Sequence, residues 1–96
     1  MAKLQAFEIQ VVSGAFSGKI PPHLWRTVGR ASTQTGAYRH YARQWAWYHP
    51  QQNAWTGHVR IRWNGQPCAV DHVTHEISLY DPETGRQSQI PSGVAR

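Results

Sequence analysis

Residues 55–65 read WTGHVRIRWNG, and this stretch decides the fold class. Polar side chains alternate in it with apolar ones, which is the period of a half-buried β-strand. The apolar members are Trp55, Val59, Ile61 and Trp63. The Asn-Gly pair that follows is typical of a two-residue hairpin turn, because both positions of that turn need a positive φ. The sequence therefore predicts a strand that folds back into an antiparallel pair.

Further strands are predicted on the C-terminal side of this turn. Alternation continues over 68–73 and 77–80, and another short strand follows near 87–90. The stretch Asp-Pro-Glu-Thr-Gly at 81–85 predicts the turn before it, with Pro suited to the first corner and Gly to the last. No internal repeat is detected. The C-terminal part is therefore predicted to be an antiparallel meander.

The N-terminal part combines a predicted strand with a predicted short helix. Residues 4–12 alternate at period two, which indicates the first strand. Pro21 can open a short helix that continues to Val28, because proline is tolerated in the first helical turn. Residues 30–36 are rich in Ser, Thr and Gly and are predicted to be a loop.

Residues 38–48 fit both the helical and the extended period. A helix places Arg39 and Arg43 together on one face, whereas a strand places Tyr41, Arg43 and Trp45 on one side. The density of aromatic rings slightly favours a strand.

Four or five short strands in a chain of 96 residues predict a β-rich α+β fold. The expected architecture is a small antiparallel sheet, or an SH3-like or OB-like barrel, with one short helix. The length predicts one domain over residues 1–96. Cys68 is the single cysteine, so no intramolecular disulfide can form, and neither a signal peptide nor a membrane span is recognised. We therefore expect a cytoplasmic protein with no membrane partner.

Positive charge and aromatic rings are concentrated in residues 1–63. This segment holds eight of the ten Lys and Arg residues, one of the five Asp and Glu residues, and ten of the eleven aromatic residues. Interleaved rings and guanidinium groups suit nucleic-acid binding, which combines base stacking with phosphate contacts. The same residue types are enriched at the hot spots of protein interfaces.

We therefore expect a small basic binding module whose partner is nucleic acid. The alternative is a protein–protein interaction module or small inhibitor that occludes an acidic protein surface. On the predicted strand 55–63, the even-numbered residues form a cationic row opposite the core. The candidate binding residues are Arg39, Tyr41, Arg43, Trp45, Trp47, Trp55, His58, Arg60 and Arg62.

Catalysis, metal binding and a cofactor are not expected. Cys68, His72 and His75 could supply three zinc ligands, but a structural zinc site needs four and no second ligand pair is present. Asp71 and His72 are neighbours on a predicted strand and point to opposite faces, which argues against a catalytic pair. The sequence therefore predicts a protein that binds and does not catalyse.

Overall fold

The computed structural model describes residues 6–14, 16, 18–49 and 56–91. These residues form one antiparallel sheet of six strands and one α-helix, which confirms the predicted β-rich α+β class. The strands are β1 (Phe7–Ser13), β2 (Arg26–Ala31), β3 (Gly57–Trp63), β4 (Gln66–Val70), β5 (Ile77–Tyr80) and β6 (Gln87–Gln89), and the helix is α1 (Gln34–Tyr48).

The sheet is open. Its strand order is β2-β1-β3-β4-β5-β6, so β2 and β6 form its two edges. The helix α1 connects β2 to β3 and packs over β1, β2 and β3 on one face of the sheet. The SH3-like or OB-like barrel alternative is therefore wrong, because the core lies between a helix and a sheet and no closed barrel is needed to enclose it.

The pairing of β1 with β3 determines which side chains face the helix. It runs from Phe7 opposite Trp63 to Ser13 opposite Gly57 without a shift in register. Because directly paired residues point to the same face, the odd-numbered residues of both strands lie on the helix side. The four largest fully buried side chains all come from this set: Phe7, Ile9, Val11 and Ile61. The predicted core face of β3 is thus confirmed.

The hairpin between β3 and β4 closes as predicted, with φ angles of 49° at Asn64 and 83° at Gly65. The return strand β4 ends at Val70, three residues before the end of the predicted 68–73 strand. The chain leaves the sheet there because the Asp71 carboxylate accepts hydrogen bonds from the backbone N–H groups of the next residues and closes a turn.

The turn after β5 repeats the turn after β4. Residues 71–76 and 81–86 share the pattern Asp-x-x-Thr, and in each the Asp carboxylate accepts a backbone hydrogen bond from the residue two positions on. The fifth residue has a positive φ in both, 68° at His75 and 76° at Gly85. The two turns therefore share one local conformation.

The ambiguous segment forms α1, so the slight preference for a strand over 38–48 is wrong. Thr33 begins the helix as its N-cap, since its Oγ1 accepts a hydrogen bond of 3.0 Å from the Gly36 N–H. In a helix, Ala37, Tyr41 and Tyr48 lie on one side and cover the apolar face of the sheet. Local strand propensity does not include the free energy gained by covering that face. None of the helical segments in the described ranges combines the length and apolarity of a membrane span.

The helix predicted from Pro21 to Val28 is also wrong. A 3-10 turn over Pro22–Leu24 takes its place, and the strand β2 then continues to Ala31. The predicted loop 30–36 is correspondingly too long, because its first residues belong to β2 and its last residues to α1. The free edge of β1 supplies hydrogen-bond partners that favour an extended chain here, and such long-range pairing overrides a local helix signal.

The strand β2 contains a bulge at Val28. Gly29 pairs with Ile9 and Thr27 pairs with Gln10, so Val28 has no partner residue on β1. The bulge changes which residues of β2 face away from the helix, and it places Thr27 on the same side as Gln10.

Tyr48, near the end of α1, packs directly over Gly57 at the start of β3. A Cβ atom at position 57 would lie 2.5 Å from Tyr48 Cδ1 and 2.6 Å from the backbone carbonyl oxygen of Val12. Neither neighbour can give way easily, because one is a buried ring and the other belongs to β1. Position 57 is therefore restricted to glycine by close packing of the helix on the sheet.

We expect Gly57→Ala to lower the free energy of unfolding by about 2–3 kcal/mol through overpacking, which is a fall of roughly 10–20 °C in Tm for a domain of this size. The matched control is Gly29→Ala, whose new Cβ would lie 3.1 Å from the His40 side chain. Because that ring can rotate away, the control should cost less than about 1 kcal/mol. Thermal denaturation followed by circular dichroism measures both, and equal Tm losses would contradict the Tyr48 contact.

Candidate functional site

The even-numbered residues of β3 project from the sheet face that α1 leaves uncovered. Their neighbours on β1 and β2 share that face, since Glu8 pairs with both Arg62 and Arg30, and Gln10 pairs with Arg60. We call this side the arginine face and define it by Arg30, Arg60 and Arg62. Among the described strand residues, Glu8 is the only carboxylate on it.

Arg60 is held in place at the centre of the arginine face. Its Nε donates a hydrogen bond of 2.8 Å to Gln10 Oε1, and the Gln10 amide in turn donates to Thr27 Oγ1 at 3.1 Å. The guanidinium carbon lies 4.0 Å from the centroid of the Trp25 ring, a cation–π contact. Burial, with a smaller contribution from the charge of Arg62, lowers the pKa of Arg60 to about 10, so the side chain remains charged at neutral pH.

Arg62 and Arg30 occupy the next row of the arginine face. Arg62 Nη2 donates a hydrogen bond to the Gly65 carbonyl oxygen in the hairpin turn. Arg30 Nη2 lies 3.2 Å from Glu8 Oε2, the one ion pair found between described residues. Because both partners are partly solvated, this pair contributes at most about 1 kcal/mol and leaves the face with an excess of positive charge.

Aromatic rings accompany these guanidinium groups. Trp25 lies under Arg60, and the Phe16 ring centroid lies 6.1 Å from that of His58. Tyr80 on β5 alternates with the core residue Leu79 and therefore faces the same side as the arginines. Trp25 and Phe16 were not among the candidates. A strand next to Trp25 is indicated locally only by the two β-branched residues that follow Trp25 and Arg26, because such residues are enriched in strands.

Three of the candidate residues lie on the opposite side of the molecule. Arg39, Arg43 and Trp47 follow one another at four-residue spacing on the outer side of α1, and Trp47 is 74% exposed. The sheet separates them from His58, Arg60 and Arg62, so the structure does not bring the two groups to one surface. Another candidate, Trp55, lies outside the described residues.

Tyr41 and Trp45 face inward and pack with His72 from the turn after β4. Tyr41 is 5% exposed, and its Oη lies 3.4 Å from His72 Nε2. The Trp45 ring stacks on His49 at a centroid distance of 4.0 Å and meets His72 at 4.8 Å. These contacts join the helix to the turn, so Tyr41 belongs to the core and not to an open stacking surface.

A groove of about 570 Å³ lies between the first turn of α1 and the strands β5 and β6. One wall is the stacked pair of Tyr38 and His75, whose rings lie 4.2 Å apart at 11°. The other polar side chains that line it are neutral amides and hydroxyls together with Glu76, and none is a lysine or arginine. The groove therefore lacks the charge that a phosphate ligand requires.

The described residues contain no group of three or more His, Cys, Asp or Glu side chains that could hold a metal ion. Of the three conceivable ligands, Cys68 packs against the core and His75 stacks on Tyr38. Burial raises the pKa of the Cys68 thiol to about 11, and hydrogen bonding to the Trp63 backbone offsets this only in part. The thiolate needed for nucleophilic chemistry is therefore scarce at neutral pH.

Comparisons with protein-family models, with curated proteins and with solved structures find no match to this chain. Function is therefore inferred from the residues and their geometry. The arginine face offers three guanidinium groups, two of them hydrogen-bonded to neutral neighbours, with a tryptophan ring beneath one of them. This chemistry suits an anionic ligand that also has flat surfaces.

Tyr41 gives a test of the inward packing of α1. Burial, with a smaller effect from the nearby Tyr38, raises the pKa of Tyr41 from 10.0 to about 12. In the unfolded chain the phenol loses its proton near pH 10, whereas in the folded protein it keeps the proton until about pH 12. The folded state then binds more protons within this window, so the free energy of unfolding falls as the pH rises through it.

We expect wild type to lose roughly 2 kcal/mol more stability than Tyr41→Phe between pH 9 and pH 12, as a two-unit pKa difference requires. Urea denaturation of both proteins at the two pH values measures this. Arg60 and Cys68 also titrate in this range, but their contributions are common to both proteins and cancel in the comparison. Parallel stability losses would place the Tyr41 hydroxyl in solvent.

Proposed function

We propose that this protein binds single-stranded nucleic acid on the arginine face. The observation that carries the proposal is the placement of Arg30, Arg60 and Arg62 on adjacent rows of an open sheet face, to which the described strand residues contribute one carboxylate. Residues on one face of a strand are about 7 Å apart, and paired residues on neighbouring strands are about 5 Å apart. Guanidinium groups at these spacings can contact successive phosphates of one strand.

The internal contacts of Arg60 support this role. Its bond to Gln10 uses Nε, which is one of the five N–H donors of a guanidinium group, and the remaining donors can pair with a phosphate. The contact with the Trp25 ring restricts the side chain before any ligand arrives. Binding then loses less side-chain entropy than it would with a freely rotating arginine.

The rings on this face supply the second element of nucleic-acid recognition. A planar guanidinium group that already stacks on Trp25 can accept a base on its other side, because arginine stacks on both aromatic rings and bases. Tyr80 and Phe16 place further rings on the same side. Base stacking on such rings contributes about 1–3 kcal/mol per base and tolerates any sequence.

The width of the sheet favours a single strand over a duplex. Six strands at a spacing of about 4.8 Å extend over about 24 Å, whereas the major groove of B-DNA is about 12 Å wide and admits a helix or a two-stranded ribbon. The arginine face cannot enter that groove as a whole. An unpaired strand can instead lie across it with its bases turned toward the protein.

The test is a titration of fluorescein-labelled dT12 and a labelled 12-base-pair duplex, followed by anisotropy at 50 and 200 mM salt. With three phosphate contacts, the affinity for dT12 should fall about 20-fold between the two salt concentrations, since the logarithmic slope is about −0.7 per contact. The duplex should bind at least tenfold more weakly at 50 mM salt. Preference for the duplex would contradict the proposal.

A matched pair of variants locates the site. Arg60→Gln/Arg62→Gln removes two charges from the arginine face, and Arg39→Gln/Arg43→Gln removes two from the outer side of α1. We expect the first to weaken dT12 binding at least tenfold and to reduce the salt slope by about 1.4, and the second to change affinity by less than about threefold. Equal losses would show that net charge alone drives binding.

Folding is checked separately, because Arg60→Gln removes a hydrogen bond and a cation–π contact and should cost about 1–2 kcal/mol. Arg62→Gln alone is the second variant. It leaves the hydrogen bonds of Gln10 intact, because Arg62 donates to the hairpin turn and not to Gln10. If wild type does not bind either oligonucleotide saturably at 50 mM salt, the proposal fails and the alternative of an acidic protein partner takes precedence.

A further inference from the structure

The outer side of α1 carries a surface that the nucleic-acid proposal does not use. Arg39, Arg43 and Trp47 lie on it at four-residue spacing, and we call them the Arg-Trp row. Trp47 is 74% exposed, which is unusual for so large an apolar side chain. Trp and Arg are the residue types that most often contribute the binding energy of protein interfaces.

The turn after β4 carries the complementary chemistry. Val73 at its tip is 88% exposed, and the same turn contributes the exposed acidic residues Asp71 and Glu76. Hydrogen bonds from the backbone N–H groups of Thr74 and Val73 lower the pKa of Asp71, so its carboxylate is charged at neutral pH. We call residues 71–76 the acidic turn.

Trp47 and Val73 are the two most exposed large hydrophobic side chains among the described residues. One shares the outer side of α1 with two arginines and the other shares a turn with two acidic residues, so the two surfaces are complementary in both apolar character and charge. No ion pair between described residues joins the Arg-Trp row to the acidic turn of the same chain. The Arg-Trp row and the acidic turn therefore do not pair with each other within one molecule.

The positions of the Arg-Trp row and the acidic turn explain why the two surfaces do not meet within one chain. The acidic turn packs against the flank of α1, where His75 stacks on Tyr38 and His72 contacts Trp45. The Arg-Trp row lies further round the same helix, on the side that faces away from the sheet. Both surfaces are thus accessible on the same half of the molecule, and the arginine face lies on the other half.

We propose that a second copy of this chain is the partner of both surfaces. The Arg-Trp row of each copy contacts the acidic turn of the other, and two such contacts form around one two-fold axis. Such a reciprocal arrangement uses the same surface on both copies and closes after two. It also leaves the arginine face of each copy free.

The test is sedimentation equilibrium of the full chain from 5 to 500 µM at pH 8 and 150 mM salt. We expect the weight-average mass of wild type to rise from 10.9 kDa toward twice that value as concentration increases. A constant mass of 10.9 kDa over the whole range would overturn the proposal. A mass that continues to rise beyond that of a dimer would overturn the two-fold arrangement.

Charge reversal on each surface, followed by mixing, tests the pairing itself. Arg39→Glu/Arg43→Glu and Val73→Arg/Glu76→Arg should each weaken self-association at least tenfold, because each places like charges opposite one another. An equimolar mixture of the two variants restores opposite charges at both contacts and should form a 1:1 heterodimer with at least tenfold tighter association than either variant alone. A mixture that sediments as two separate monomers would overturn the proposal.

Two further variants separate this interface from other effects. Trp47→Ala leaves the net charge unchanged and should weaken self-association at least tenfold if the ring is a central contact. Arg60→Gln/Arg62→Gln changes the net charge but lies on the other half of the molecule and should self-associate as wild type does. Asp71 is left unaltered because its carboxylate holds the turn together. Circular dichroism confirms that each variant is folded.

Discussion

Continuous pairing between β1 and β3 is the constraint on which the rest of the structure depends. It extends over the whole of β1 without a bulge, so every second side chain on both strands is committed to the helix side. Phe7, Ile9 and Ile61 form the centre of the core on that side. The charged residues of β3 therefore lie on the opposite face, where Arg60 pairs with Gln10 and Arg62 pairs with Glu8 on β1. The core and the candidate site are thus two results of the same register.

Local pattern predicted the C-terminal half of the fold well. The alternation around Val59 and Ile61 and the Asn64-Gly65 turn are short-range features, and a strand pair joined by two residues needs no distant information. The N-terminal half depends on contacts between residues far apart in sequence. β2 is extended because β1 offers it an edge, and α1 is helical because an apolar sheet face has to be covered. Neither cause can be read from the segment itself.

The candidate site was predicted in part, for the same reason. The alternation predicts the cationic row of β3, and the structure places this row on the sheet face that α1 leaves uncovered. The sequence groups the residues of α1 with this row because both combine arginines with aromatic rings, yet Arg39 and Arg43 lie on the far side of the sheet. Trp25 joins the arginine face instead, since β2 brings it under Arg60. Composition indicated which residue types matter, but their grouping depends on topology.

The bulge at Val28 has a consequence for solubility. An open sheet exposes unpaired backbone groups at both edges, and such edges can add strands from other molecules and so begin aggregation. At β2 the bulge interrupts the regular spacing of those groups, and Arg26 and Arg30 on either side of it are exposed charges that an incoming strand would have to desolvate. At the other edge β6 is three residues long and is followed closely by Pro91, which has no N–H to donate. The same sheet can therefore stay open to ligands on its face while both of its edges resist polymerisation.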